Sequence, residues 1–245
     1  MIQYCINVIF KHLQNKMHEN NINWIKQHFK RVEAVFFDFD NTLVDENYSV
    51  RNRWDITLTK YQDMLNNSKL KETFFKIYAE KGFGYKFHID DTLDRLNLSK
   101  DYKKSIINDF LGQPSNSESV YPHAVELLKL LKRMNFKLAI FTNGLKKDQQ
   151  HRIKISGLSP FFKYIQYGDT CKLKPDLNSF MMISKKLNLS NKRKFIMIGD
   201  SYTDDFLGAK KCGAECILIN SELKNNFSSP IYSNLKELYI DLKQI

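Results

Sequence analysis

Hydrophobic positions in this chain gather into five short, nearly unbroken runs: Ala34–Phe37, Leu138–Phe141, Tyr164–Tyr167, Phe195–Ile198 and Cys216–Ile219. Each is rich in β-formers and lacks the in-out alternation of a half-exposed strand. Each therefore predicts a strand buried on both faces of a parallel sheet. Helix-like stretches accompany the last four. Pro122–Met134 opens with proline where a first helical turn tolerates it, and sets Val125, Leu127, Leu128, Leu130 and Leu131 on one broad apolar face. Asp176–Leu187 follows Pro175 and aligns Phe180, Met181, Ile183 and Leu187. Asp204–Cys212 is shorter and stops at Gly213, a natural helix terminator. Strand alternating with helix predicts an α/β, doubly wound, Rossmann-like parallel sheet.

The stretch between the first two strands breaks the rhythm. Residues 46–118 contain no clear strand. Trp54, Leu58, Tyr61 and Leu65 form one helical stripe, Phe74, Phe75 and Tyr78 a second, and Ile106, Ile107 and Phe110 a third. A helical block this long is an inserted subdomain, not a loop. The division expected is an N-terminal helical extension over 1–30, a core from 31–45 and 119–245, and the helical insert 46–118. In the extension, Met1–Phe10 is apolar but too short to span a bilayer, with no positive start or small-residue cleavage site. Ile22, Ile25, Phe29 and Val32 continue at helical spacing, which suits a helix packed on the core. Met17 offers a second candidate start.

Composition adds bounds. Apolar residues make up 42% and charged residues 27% of 245, which are globular values. Lysine and arginine exceed the acids 38 to 27, a formal net charge of +11. Such charge suits nucleic acid, acidic membrane or a small phosphorylated substrate. Lys71, Lys76, Lys81, Lys129, Lys146 and Lys192 are scattered, without a block of like charges. That fits a solvated surface better than a nucleic-acid footprint. The cysteines Cys5, Cys171, Cys212 and Cys216 form no metal-type pair and read as reduced thiols of a cytoplasmic protein.

In an open parallel sheet, ligands bind beyond the carboxyl ends of the strands. The first strand runs into Asp38-Phe39-Asp40-Asn41-Thr42, the second into Thr142-Asn143-Gly144. Beyond the third lies Lys172-Leu173-Lys174-Pro175, and after the fourth Gly199-Asp200-Ser201-Tyr202-Thr203-Asp204-Asp205. Any one of these acids alone suits a helix cap. Together they bring acids, a hydroxyl, glycine backbone and a lysine to one edge. Crowded carboxylates need compensating charge, which a lysine and an oxygen-loving divalent cation such as magnesium supply.

These four segments, FFDFDNT, IFTNG, KLKPD and GDSYTDD, resemble in order the four motifs of the haloacid dehalogenase superfamily. The resemblance runs from about Val35 to Asn220, with the insert in the place of that superfamily's helical cap. It implies that Asp38 attacks phosphorus and becomes an aspartyl-phosphate, and that Asp40 protonates the leaving oxygen and then activates water. Thr142 and the backbone amide of Asn143 bind phosphate oxygens, and Lys174 neutralises nucleophile and phosphate. By the same resemblance, magnesium would be held by Asp38, the backbone carbonyl of Asp40, Asp200 and a last acid. For that acid both Asp204 and Asp205 are at distances the superfamily uses. The spacing on to Gly213 favours Asp205, with Asp204 as a helix cap.

Dehalogenases of the superfamily lack the acid two residues after the nucleophile, so Asp40 points to phosphoryl chemistry. Phosphonate-cleaving relatives use a cap lysine, for which Lys76 and Lys81 are candidates. IFTNG and the cap resemble the branch of pyrimidine nucleotidases and N-acylneuraminate-9-phosphatase. In the insert, Arg51, Arg53 and Lys81-Gly82-Phe83-Gly84-Tyr85-Lys86-Phe87-His88 are candidate substrate contacts, though taken singly Phe83, Tyr85 and Phe87 are better read as packing the insert and Arg51 and Arg53 as surface residues. His88 and His123 read as solvated or structural. The expected activity is a magnesium-dependent phosphohydrolase acting on a small phosphorylated metabolite. The alternatives are a non-catalytic module of the same fold and a nucleic-acid end phosphatase.

Overall fold

The computed structural model describes residues 18–61, 67–81, 85–97, 99–219 and 229–245. Met1–Phe10, Met17, Cys5, Leu65, Gly82, Phe83 and Gly84 lie outside the described residues, as do the side chains of Lys81, Tyr85, Lys86 and Phe87. By contacts the chain forms two compact units. One is the chain up to Asp45 and from Val120 onward, the other is Glu46–Ser119.

The first unit is built on a six-stranded sheet of order β3-β2-β1-β4-β5-β6, parallel throughout. Its strands are β1 Ala34–Phe37, β2 Lys137–Phe141, β3 Tyr164–Gln166, β4 Phe195–Gly199, β5 Glu215–Ile219 and β6 Ile231–Tyr232. All four residues of β1 are buried. The two-residue repeat of a strand explains why. Val35 and Phe37 face one layer, with Ile25, Phe29, Leu127, Leu131, Leu235 and Leu238. Ala34 and Phe36 face the other, with Phe180, Ile183 and Ala209. A strand covered on both sides has no polar face, hence the unbroken apolar runs.

The helices of this unit are α1 over residues 18–28, α6 Ala124–Arg133, α7 Lys146–Ile155, α8 Leu177–Lys186, α9 Leu207–Lys211 and α10 Leu235–Leu242. Two boundaries differ by more than one residue from the pattern's expectation. Pro122 stays outside α6, because His123 takes the cap position in the left-handed region at φ 67°. Asp204 lies in a π turn, Tyr202–Phe206, that precedes α9. The pattern also missed β6, which is only two residues long. Cys171, Cys212 and Cys216 are unpaired thiols. No helix among the described residues is long and apolar enough to cross a membrane.

Among the described residues the second unit holds four α-helices: α2 Glu46–Leu58, α3 Asn67–Lys81, α4 Tyr85–Arg95 and α5 Lys100–Gly112. Of the first stripe, Trp54 and Leu58 lie on α2 and Tyr61 in a short 3-10 turn after it, while the second and third stripes lie on α3 and α5. Helix α4 falls where the sequence offered substrate contacts. Trp54, Phe74 and Phe110 form an aromatic core, with Trp54 and Phe110 centroids 4.5 Å apart. Arg53 is buried with its guanidinium 5.4 Å from the Phe110 ring, and Arg51 lies 3.8 Å over Phe75. Arg53 therefore packs within this unit and is no surface residue. His88 is buried as well.

Candidate active site

The site begins where β1 ends. Asp38 continues the strand for one more hydrogen bond, its N–H donating to the Ile198 carbonyl at 2.9 Å, so its position is set by the sheet itself. The chain then turns tightly, with Asn41 in the left-handed region at φ 56° and Leu43 N–H bonded back to the Phe39 carbonyl. The turn brings the Thr42 hydroxyl to Asp38 Oδ2 at 3.4 Å.

Three other strand ends close around it. Beyond β2, Thr142 continues the ladder through its N–H to the Gln166 carbonyl, and its Oγ1 accepts from Gly144 N–H at 3.0 Å. Asn143 ties this turn to the lysine segment: its Oδ1 accepts from Lys174 N–H at 2.7 Å, and its Nδ2 donates to the Lys174 carbonyl at 3.3 Å. So anchored, the buried Lys174 ammonium donates to Asp38 Oδ1 at 2.6 Å and to Asp205 Oδ1 at 2.7 Å. After β4, Ser201 caps the π turn by accepting from Asp204 N–H, while its own N–H donates to Asp205 Oδ2 at 3.1 Å.

This capping separates the two candidate acids. Asp205 is fully buried, and with Asp38 and Asp200 it gives three carboxylates with ligand oxygens within 4.8 Å of one another. Asp204 instead accepts from Asn143 Nδ2 at 3.2 Å. It does not cap the helix, because Ser201 already fills that role.

Burial and mutual repulsion govern the ionisation of the cluster. Burial pushes the Asp38 carboxyl well above the usual range; Lys174 opposes this, and Asp205, Asp200 and Asp40 add to it. Burial, with Asp205 beside it, raises Asp200 to about 7. Burial works against the Lys174 charge, but Asp205 and Asp38 outweigh it and hold the ammonium protonated. When ionised, the three carboxylates exceed the one ammonium beside them by two negative charges. A divalent cation with oxygen preference matches that excess in both charge and ligand type.

Gly199 is required by this packing. A Cβ there would lie 2.1 Å from Asp205 Oδ2. Gly199→Ala is expected to push Asp205 off Lys174 and lower turnover about 100-fold, in line with the cost of misplacing a reacting group. Steady-state kinetics would check this, and near-parental turnover would contradict the close approach.

Sequence reasoning missed two residues here. Gln149 Nε2 donates to Asp40 Oδ2 at 2.6 Å, and Arg152 Nη1 donates to Asp40 Oδ1 at 2.6 Å. Both lie on α7, three residues apart and so on one face of the helix. That spacing, directly after the Thr142 turn, was the available signal.

An open parallel sheet with acids and a lysine gathered beyond its strand ends defines an α/β enzyme with a centre suited to a cation and an anionic ligand. The chain belongs to the haloacid dehalogenase-like hydrolases, a family that matches residues 35–219. It is 25% identical over 199 residues to the glyceraldehyde 3-phosphate phosphatase of Methanothermobacter thermautotrophicus, covering 78% of this chain and 87% of that one. It is 33% identical over 98 residues to the pyrimidine 5'-nucleotidase PynA of Streptococcus pneumoniae, covering 40% and 41%. Among solved structures it shares its fold with YfnB, a HAD-hydrolase of Bacillus subtilis bound to magnesium. The TM-score is 0.65 at 21% identity, over 86% of this chain and 99% of that one.

Proposed function

We propose that this chain is a magnesium-dependent phosphohydrolase that releases phosphate from a small phosphorylated metabolite through an aspartyl-phosphate on Asp38. The observation that carries the reading is the buried set Asp38, Lys174 and Asp205, with the half-buried Asp200 beside it and a further acid at Asp40. The matching hydrolase family and a phosphatase among the relatives support it.

Asp38 attacks phosphorus as the bond to the leaving oxygen breaks, splitting one hard displacement into two easier steps. Lys174 offsets the charge of nucleophile and phosphate, and the Thr142 hydroxyl and Asn143 amide orient phosphate oxygens. Asp40 gives its proton to the leaving oxygen, then takes one from the water that opens the aspartyl-phosphate. Magnesium would be held by Asp38, the Asp40 carbonyl, Asp200 and Asp205, and would supply positive charge opposite the phosphate oxygens. Substrate choice we assign to the helical unit Glu46–Ser119. The unpaired thiols support a reducing, cytoplasmic setting.

The direct test is a panel of phosphorylated metabolites and p-nitrophenyl phosphate, assayed with magnesium and with chelator. Metal-dependent phosphate release is expected. Turnover indifferent to chelator would overturn the metal assignment, and absence of turnover on every phosphomonoester would overturn the activity.

Metal and pH are linked through Asp200. Its folded value of about 7 lies above the 3.8 of an unburied carboxyl. The folded state thus keeps a proton that the unfolded chain releases, and metal-free stability falls as pH rises through that window. Magnesium removes the penalty. At about a hundredfold excess over its dissociation constant it is expected to raise Tm by roughly 5 °C or more at pH 8. At pH 5 the shift is expected to be clearly smaller. Thermal melts showing equal shifts at both pH values would remove Asp200 from the metal site.

A further inference from the structure

Asp40 is gripped at both oxygens, by Arg152 at Oδ1 and by Gln149 at Oδ2. The grip is enclosed. The Arg152 side chain is 3% exposed and its guanidinium lies 5.3 Å from the Phe39 ring. Gln149 lies against Gly144, where a Cβ would come within 2.3 Å of its Nε2, so the turn after Thr142 leaves room for this amide. The other amide atom, Gln149 Oε1, is buried without a hydrogen-bond partner among the described residues. An orphaned buried acceptor loses its hydration without replacement and so works against the fold. A helix that only needed packing would place an apolar side chain there.

The chemistry asked of Asp40 accounts for that acceptor. A group that first gives and then takes a proton needs partners for both of its forms. An arginine only donates, and suits the carboxylate. A glutamine amide donates through Nε2 and, turned over, accepts through Oε1.

Resting on the phosphohydrolase reading above, we propose that Arg152 and Gln149 are positioning residues for proton transfer by Asp40. Arg152 fixes the direction of the carboxyl group. Gln149 serves it as donor when ionised and as acceptor when protonated. In the first step the Asp40 proton passes to the leaving oxygen while the bond from Asp38 to phosphorus forms. In the second, a proton from water returns to Asp40 while the water oxygen bonds phosphorus and Asp38 is released.

The test compares kcat/KM for an alkyl phosphate and for p-nitrophenyl phosphate, both with magnesium. This ratio reports the phosphoryl-transfer step, where only the alkyl leaving group needs a proton. The proteins are the parent, Arg152→Met, Arg152→Lys and Gln149→Met, each also with Asp40→Asn. Arg152→Met is expected to lower the alkyl value about 100-fold and the aryl value less than about 10-fold. Arg152→Lys should recover part of the loss. On Asp40→Asn, neither Arg152→Met nor Gln149→Met should add a further loss. Equal losses on both substrates, or losses that multiply with that of Asp40→Asn, would overturn the proposal. Should Arg152→Met fail to fold, Gln149→Met carries the same comparison. The underlying reading fails separately, if Asp38→Asn leaves aryl phosphate turnover intact.

Discussion

Asp38→Asn is expected to lower kcat about 10⁴-fold or more, the scale seen when a nucleophile is removed from a set of residues that act together. The amide is nearly isosteric but cannot attack phosphorus to form the acyl phosphate. The same change is expected to leave stability equal or to raise it. Burial and three neighbouring carboxylates disfavour the Asp38 charge in the folded state, and a neutral amide relieves that. Lys174 keeps Asp205 as a partner. Rising Tm with vanishing activity is the signature of a strained functional group. Kinetics and thermal melts on one preparation would show it, with mass spectrometry for a phosphorylated intermediate in the parent alone. Activity lost together with a large fall in Tm would instead make Asp38 a structural residue.

Lys174→Met should damage both properties at once. Its ammonium is the partner of Asp38 and Asp205, and its side chain is 3% exposed. Removing one partner from a buried ion pair strands the other charge, typically at about 3–5 kcal/mol. For a chain of this size that corresponds to a fall in Tm of roughly 10 °C. Turnover is expected to drop about 100- to 1,000-fold, the scale for losing one electrostatic contact to the transition state. Magnesium should recover part of the stability, since a cation offsets the same carboxylates. Metal-free melts beside melts at saturating magnesium would measure both effects. A Lys174→Met protein as stable as its parent without metal would mean that the carboxylates find compensation elsewhere.

The contrast between these variants follows from how the cluster is charged. Asp38 is costly to the fold and Lys174 offsets that cost, although the two share one hydrogen bond. Such asymmetry is expected where groups are held together for chemistry.

Much of the cluster was legible because each member follows a strand, and strands buried on both faces announce themselves as apolar runs. Asp38, Lys174 and Asp200 were reached by asking what lies beyond each run. Arg152 and Gln149 were not, because α7 carries Lys146, Lys147, Asp148, His151 and Lys154 around them and shows little apolar face. A buried arginine inside a charged helix looks like a surface arginine until its partner is known. Arg53 misled in the same way, being packed over Phe110.

The amino-acid sequence by itself determined the sheet class, the helical insert and the order of the chemistry-bearing segments. These follow from local periodicity and from short strings of residue types, which need no knowledge of neighbours. Only the tertiary structure decided between Asp204 and Asp205 for the carboxylate cluster, since that depends on one extra residue in a π turn capped by Ser201. Only it joined Asp40 to a helix more than a hundred residues further along the chain, with Gln149 lying 109 residues on and Arg152 112. Pairings over such separations are set by how β1 and β2 lie side by side in the sheet, and no local pattern encodes them.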